Sequence, residues 1–233
     1  MPQLIAMIII VVGAMIYMFQ TFGGTGDKIS GIAQKTSVVT EINNIKSGLQ
    51  FAARAGKIAT TNDTASPKEY FNTLIGLAEE GYFADQMNEQ ITRDKDNAKR
   101  TEATFNTYSA ISFGGNSENA GDGKGAMLIS LVANTEGMIP GIFVDLNRGS
   151  LKDNAGFLES EIANDLKDIA TIDRLAATGT AGTAPTAGAL KTGANLSSTD
   201  LRTPVASTGG ANNDGMFIIY FKDFGANEVV VKK

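Results

Sequence analysis

No charged side chain occurs in the first 26 residues, MPQLIAMIIIVVGAMIYMFQTFGGTG. An uncharged apolar run of this length cannot stay exposed to water, so it must enter lipid or pack against protein. From Leu4 to Phe22 it spans about 28 Å as a helix, close to the thickness of a bilayer core. Gly13 and the Gly23, Gly24, Gly26 cluster each weaken a helix by roughly 1 kcal/mol relative to Ala, and they mark a bend or an end. No cation flanks the run before Leu4, as one would in a secretory signal or a lone membrane span. A short charged leader, removed from ahead of Met1, is the expected resolution.

A second helical pattern starts at Asp27, which can cap it. Ile29, Ile32, Val39, Ile42, Ile45, Leu49 and Ala53 recur at spacings of three, four and seven, whereas Lys28, Lys35, Glu41, Lys46 and Arg54 fall on other faces. Ile32, Val39, Ile42, Ile45 and Leu49 are the expected face against a folded head, and Gly56 is the expected stop. Residues 1–56 therefore read as an N-terminal helix, with 1–26 its apolar part, and 57–233 as a globular head.

Within the head, Ser66-Pro67-Lys68-Glu69 predicts a helix start that buries Tyr70, Phe71, Leu74, Leu77 and Ala78 and stops at Gly81. Residues 85–100 are dense in charged and amide side chains and read as a surface excursion. Alternation or continuous apolar runs predict strands over 104–113, 126–133, 139–145, 215–221 and 228–231. Leu158, Ile162, Leu166, Ile169 and Leu175 predict a helix over 157–177, and 178–214 reads as an exposed low-complexity loop. The expected class is α+β: a long hydrophobic then amphipathic N-terminal helix, packed at its C-terminal half against an antiparallel β-sheet head.

Composition then narrows function. With 42% hydrophobic and 19% charged residues among 233, the chain can build a core. A net charge of -5 with scattered lysines supplies no field for nucleic acid. Cysteine and histidine are both absent, which removes thiol nucleophiles, disulfides and the commonest base and metal ligand. No catalytic, cofactor-binding or metal-ligating residue is expected, and the chain does not read as an enzyme. Gly121-Asp-Gly-Lys-Gly125 lacks the upstream Gly and following Ser or Thr of a phosphate loop, and reads as a turn. Asp223-Phe-Gly225 matches the kinase metal triad in letters only and also reads as a turn. Asp94-Lys-Asp96-Asn97 lacks the glycine and terminal glutamate of a calcium loop. Asn62-Asp-Thr64 and Asn195-Leu-Ser197 are bare sequons.

The layout resembles the type IV pilins, and among them the longer type IVb group. The resemblance rests on the uncharged Leu4–Phe22 segment, the amphipathic continuation from Asp27 to about Gly56, and the loop with its helix from Ser66 to Glu80. Met1 as first residue suits the type IVb group. Ile5 stands where that family usually carries a glutamate, and the cysteines of many members are missing. The resemblance implies a structural subunit that polymerises through its N-terminal helix into an extracellular filament for adhesion, motility or surface interaction. Leu4, Ile5, Ile8, Ile9, Val12, Ile16 and Phe19 would pack in the filament core, with Gly13, Gly23, Gly24 and Gly26 supplying flexibility. The implied partners are other copies of the chain, the inner-membrane assembly machinery and a prepilin peptidase, with residence in the inner membrane before assembly. The competing readings are a membrane-anchored minor pilin or adhesin, a pseudopilin of a secretion system, an archaeal-type filament subunit, and a tethered periplasmic enzyme. Archaeal heads are mostly β-sandwiches, which the helices expected at 66–80 and 157–177 oppose. Nothing in the sequence specifies the cluster that the enzyme would need.

Overall fold

The fold is built from a helix with two unlike faces and a five-stranded sheet. The computed structural model describes residues 31–92, 107–109, 127–133, 136–147, 149–174 and 213–231. Residues 31–54 are helical and form α1. Its termination follows from backbone hydrogen bonding. Lys57 N–H bonds the Ala52 carbonyl at 2.9 Å and Gly56 N–H bonds the Ala53 carbonyl at 3.0 Å, with Gly56 at φ 66. This is a Schellman stop, in which glycine takes the left-handed position without a Cβ clash.

The chain next runs irregularly to α2, Leu74–Glu79. The expected helix start at Ser66 is thus corrected, and with it a buried Tyr70, which is only partly buried. Asp63 explains the difference: its two carboxylate oxygens accept the Ala65 and Glu69 N–H groups at 2.9 Å each, which holds a loop where a helix would begin. The working cap is Thr73, whose hydroxyl accepts from Gly76 N–H at 3.4 Å. A second Schellman stop follows, Tyr82 N–H to the Leu77 carbonyl at 3.1 Å, with Gly81 at φ 78. Asp85–Thr92 is a further helix, α3, that buries Met87, Gln90 and Ile91. The reading of this stretch as a surface excursion is corrected: Met87 and Ile91 lie one turn apart and outweigh their polar neighbours.

The strands are β1, Thr107–Ser109; β2, Leu128–Val132; β3, Gly141–Asp145; β4, Ala170–Asp173; and β5, Met216–Phe221. They form one sheet in the order β1-β2-β3-β5-β4, with every neighbouring pair antiparallel. Between β3 and β4 lie a 3-10 turn, Gly149–Asn154, and α4, Ala155–Leu166. The helix expected over 157–177 therefore ends early, and the chain returns as an edge strand. Leu158, Ile162 and Leu166 are buried, but Ile169 is 44% exposed. Beyond Leu166 the helical stripe stops paying off, whereas Ala170–Asp173 can satisfy its backbone along β5. The expected final strand at 228–231 is reduced to a single parallel bridge between Ala59 and Val231. The class is α+β, with helices and an antiparallel sheet in one chain.

Strand alternation divides the sheet residues between two faces. On one, Ile129, Leu131, Ile142, Val144, Phe217, Ile219 and Phe221 share a single apolar cluster with Val38, Ile42, Ile45 and Leu49 of α1 and with Leu158 and Ile162 of α4. On the other, Leu128, Val132, Phe143, Met216, Ile218 and Tyr220 form a second cluster. Gly141 admits the Tyr220 ring, because a Cβ there would come within 2.6 Å of its Cε1.

Candidate assembly surface

Helix α1 places different chemistry on its two sides. Gly31, Val38, Ile45 and Ala52 recur every seven residues and are buried, with Ile42 and Leu49 between them. This stripe faces the core. Of the residues expected there, Ile42, Ile45 and Leu49 are completely buried and Val39 is partly buried against the cluster. Ile32 is corrected: it is 55% exposed. The stripe runs through Gly31 instead, one residue and about 100° around the helix. Gly31 lies so close to Phe157 of α4 that a Cβ would meet the ring at 3.0 Å.

Polar contacts fix this rotation. Lys35 Nζ bonds Asp165 at 2.8 Å and reaches Glu161 at 3.6 Å, and these acids hold the lysine above its ordinary value of 10.5. Asn154 donates to Gln34 at 2.9 Å. Lys46 pairs with Asp223 and lies 4.7 Å from the centre of the Phe221 ring, which stacks on Phe224 at 6.4 Å. The Asp223-Phe-Gly225 motif thus serves as a turn docked on α1, with Gly225 N–H held by Glu228 at 2.7 Å. Arg54 bonds the other oxygen of Glu228 through Nε at 3.0 Å and Nη2 at 2.5 Å.

Between the partly exposed Glu41 at its edge and the exposed Arg54 one turn beyond Phe51, the outer side of α1 carries no exposed charge. From 32 to 51 the exposed residues of α1 are Ile32, Ala33, Thr36, Ser37, Thr40, Asn44, Ser47 and Phe51. The hydroxyls of Thr36, Ser37, Thr40 and Ser47 each donate to the carbonyl four residues back, at 2.9 to 3.1 Å. Their donors are consumed within the helix, so covering this face strands few polar groups. The stripe is about 30 Å long.

At its C-terminal end the stripe opens into a groove of about 480 Å³, lined by Asn44, Ser47 and Phe51 of α1 and by Tyr82, Phe83 and Ala84 of the α2–α3 turn. Asn88 holds that turn by accepting from Phe83 N–H at 3.1 Å and donating to the Phe83 carbonyl at 2.7 Å. Gly48 lets the turn approach: a Cβ there would lie 2.2 Å from the Phe83 ring.

Leu4, Ile5, Ile8, Ile9, Val12, Ile16, Phe19, Gly13, Gly23, Gly24 and Gly26 all lie outside the described residues, as do the Asp94–Asn97 cluster, the Gly121–Gly125 turn and Asn195. The side chain of Asn62 accepts Asn72 N–H at 2.9 Å, an internal structural use of that sequon. Among the described residues no helix is long and apolar enough to cross a membrane, and no group of three or more acids could hold a metal ion. The uncharged stripe and the groove were not among the sequence expectations. The signal for the first was legible as missing charge at helical spacing through 32–51; the groove depends on contacts 35 residues apart, Ser47 to Tyr82, and left none. Comparison with protein-family models, with curated proteins and with solved structures returned no match.

Proposed function

We propose that this chain is the structural subunit of an extracellular filament of the type IV pilus kind, held together by its N-terminal helix and performing no chemistry of its own. The supporting observation is that the exposed residues of α1 from 32 to 51 are all uncharged, a character shared with residues 1–26, along a helix otherwise docked to the head by paired charges. In this reading 1–26 and α1 form one long helix. Its apolar part resides in the inner membrane before assembly and among copies of itself afterwards. Lipid and protein interior are about equally apolar, so transfer between them carries little solvation penalty and association depends on shape. Ile5 in place of an acid leaves that docking to apolar packing. The assembly machinery and a prepilin peptidase act on the chain before it joins the filament, which then serves adhesion, motility or surface interaction.

Negative-stain microscopy and sedimentation of the purified full chain test this. Filaments with many identical copies are the expected result. Thr40→Lys, at the middle of the exposed stripe, should leave the head folded and abolish sedimentable polymer. Wild-type protein that stays monomeric, or filaments unaffected by that lysine, would overturn the reading.

A further inference from the structure

Four large hydrophobic side chains are exposed among the described residues: Ile32, Phe51, Phe157 and Ile169. Ile32 and Phe157 sit at the Gly31 end of α1, and Phe51 rims the groove. Ile169 stands apart, on the turn between α4 and β4.

Two lysines stand beside Ile169, whereas the charged residues flanking the groove's α2–α3 turn are acids. From Thr73 to Thr92, the segment whose α2–α3 turn supplies the groove's far wall, every charged residue is an exposed acid: Glu79, Glu80, Asp85 and Glu89. Beside Ile169 stand the exposed lysines Lys167 and Lys222, which are joined by Lys222 Nζ bonding the Lys167 carbonyl at 3.0 Å. Asp168 is the one acid between them, since Asp223 is engaged by Lys46.

We propose that the Ile169 corner of one copy docks into the Phe51–Tyr82 groove of a second copy, with Lys167 and Lys222 facing Glu80 and Asp85. The two patches are different surfaces of one molecule, so the contact is heterologous: each copy offers both halves, and the association stays open instead of closing as a dimer. An exposed apolar residue with two lysines beside it, matched to an apolar groove flanked by acids, gives both burial and register. This contact rests on the filament reading and adds to it a head-to-head interaction outside the helical core.

The absence of cysteine from the chain makes the test clean. Full-length protein carrying Ala84→Cys with Ile169→Cys, both exposed positions, is assembled and mildly oxidised; Tyr82→Cys with Ile169→Cys serves as the alternative geometry. A ladder of disulfide-linked multimers from either pair, absent from the single-cysteine chains, is expected. In parallel, Glu80→Lys with Asp85→Lys should raise the concentration needed for polymerisation about tenfold, equivalent to about 1.4 kcal/mol. Adding Lys167→Glu and Lys222→Glu to the same chain should reverse that rise. Polymers that form without a ladder from either pair overturn the contact and leave the filament reading standing. Dimers alone overturn its open geometry, and a chain that forms no polymer overturns both.

Discussion

Arg174 Nε donates to Glu159 Oε1 at 2.6 Å, and the second oxygen of that carboxylate accepts the N–H of Gly215 at 2.8 Å. Glu159 is completely buried in α4. One carboxylate therefore ties the end of β4, at Arg174, to the start of β5, at Gly215. Arg174 also reaches Ser160 at 3.0 Å and Asn213 at 2.5 Å, which closes the clamp. Because Glu159 has no exposed surface, its charge depends on these partners far more than a surface ion pair would.

Arg174→Met should accordingly destabilise the head by about 3 kcal/mol, since it leaves a buried carboxylate with its charge uncompensated. Pairing it with Glu159→Gln should recover part of that loss, because the amide still accepts from Gly215 without burying charge. Urea unfolding of the two variants distinguishes the cases. An Arg174→Met chain within experimental error of wild type would show that the clamp does not hold the ends of β4 and β5 together.

Gly48 poses a contest between two effects of known size. Alanine is favoured over glycine inside a helix by about 1 kcal/mol. Against this, a Cβ at position 48 would come 2.2 Å from the Phe83 ring and 2.8 Å from the Tyr82 carbonyl oxygen, one of them backbone. Overpacking of this kind costs about 1 to 3 kcal/mol, and the turn is held by Asn88 and cannot retreat freely. Gly48→Ala should lower the thermal midpoint and reshape the groove. A raised midpoint would mean that the α2–α3 turn yields more easily than its hydrogen bonds suggest.

Tyr220 predicts a dependence on alkaline pH. Its hydroxyl is buried and has no hydrogen-bond partner among the described residues. Burial, with the nearby charge of Asp173 adding to it, pushes the phenol well above its ordinary 10.0. The folded state thus keeps the proton while the unfolded chain releases it near pH 10.0, so this contribution is intact below that pH and stability falls as pH rises above it. Tyr220→Phe removes the titration and an unpaired hydroxyl together. It should be neutral or stabilising by about 1 kcal/mol near pH 7 and should flatten the alkaline decline. Thermal midpoints at about pH 8 and pH 11 provide the comparison, and an equally steep decline in the variant would place its origin elsewhere.

How far the sequence reaches depends on whether a local cause decides the element. Gly56 and Gly81 were legible as stops because a left-handed turn after a helix needs only nearby residues. Ile42, Ile45 and Leu49 were legible from spacing alone, yet Ile32 was not. The rotation of α1 is set by Phe157 against Gly31 and by Lys35 on Asp165, more than a hundred residues away. The helix start at Ser66 yielded to Asp63, whose carboxylate competes for the same backbone donors. The end of α4 yielded to β5, which offers Ala170–Asp173 a hydrogen-bonding partner that no window of local sequence contains. The uncharged outer face of α1 was present in the letters, but its exposure follows only once the buried stripe is placed.

The filament reading makes its strongest demand on residues ahead of α1. Ile9, Val12 and Ile16 recur at helical spacing within the uncharged run, and they would share one face of the core packing. Truncating all three to Ala removes volume that a helical bundle must fill, and a buried isoleucine cut to alanine costs about 2 to 5 kcal/mol in a packed core. In lipid the same change leaves no lasting cavity, because acyl chains flow into the space. The loss therefore falls on the assembled state more than on the membrane state. Filament mass recovered by sedimentation should drop by about tenfold or more, which corresponds to a loss of only about 1.4 kcal/mol per added subunit. The unfolding midpoint of the head should not move, since its core is built from residues 38 onward. Undiminished filaments from the triple variant would mean that the uncharged segment does not form the assembly core.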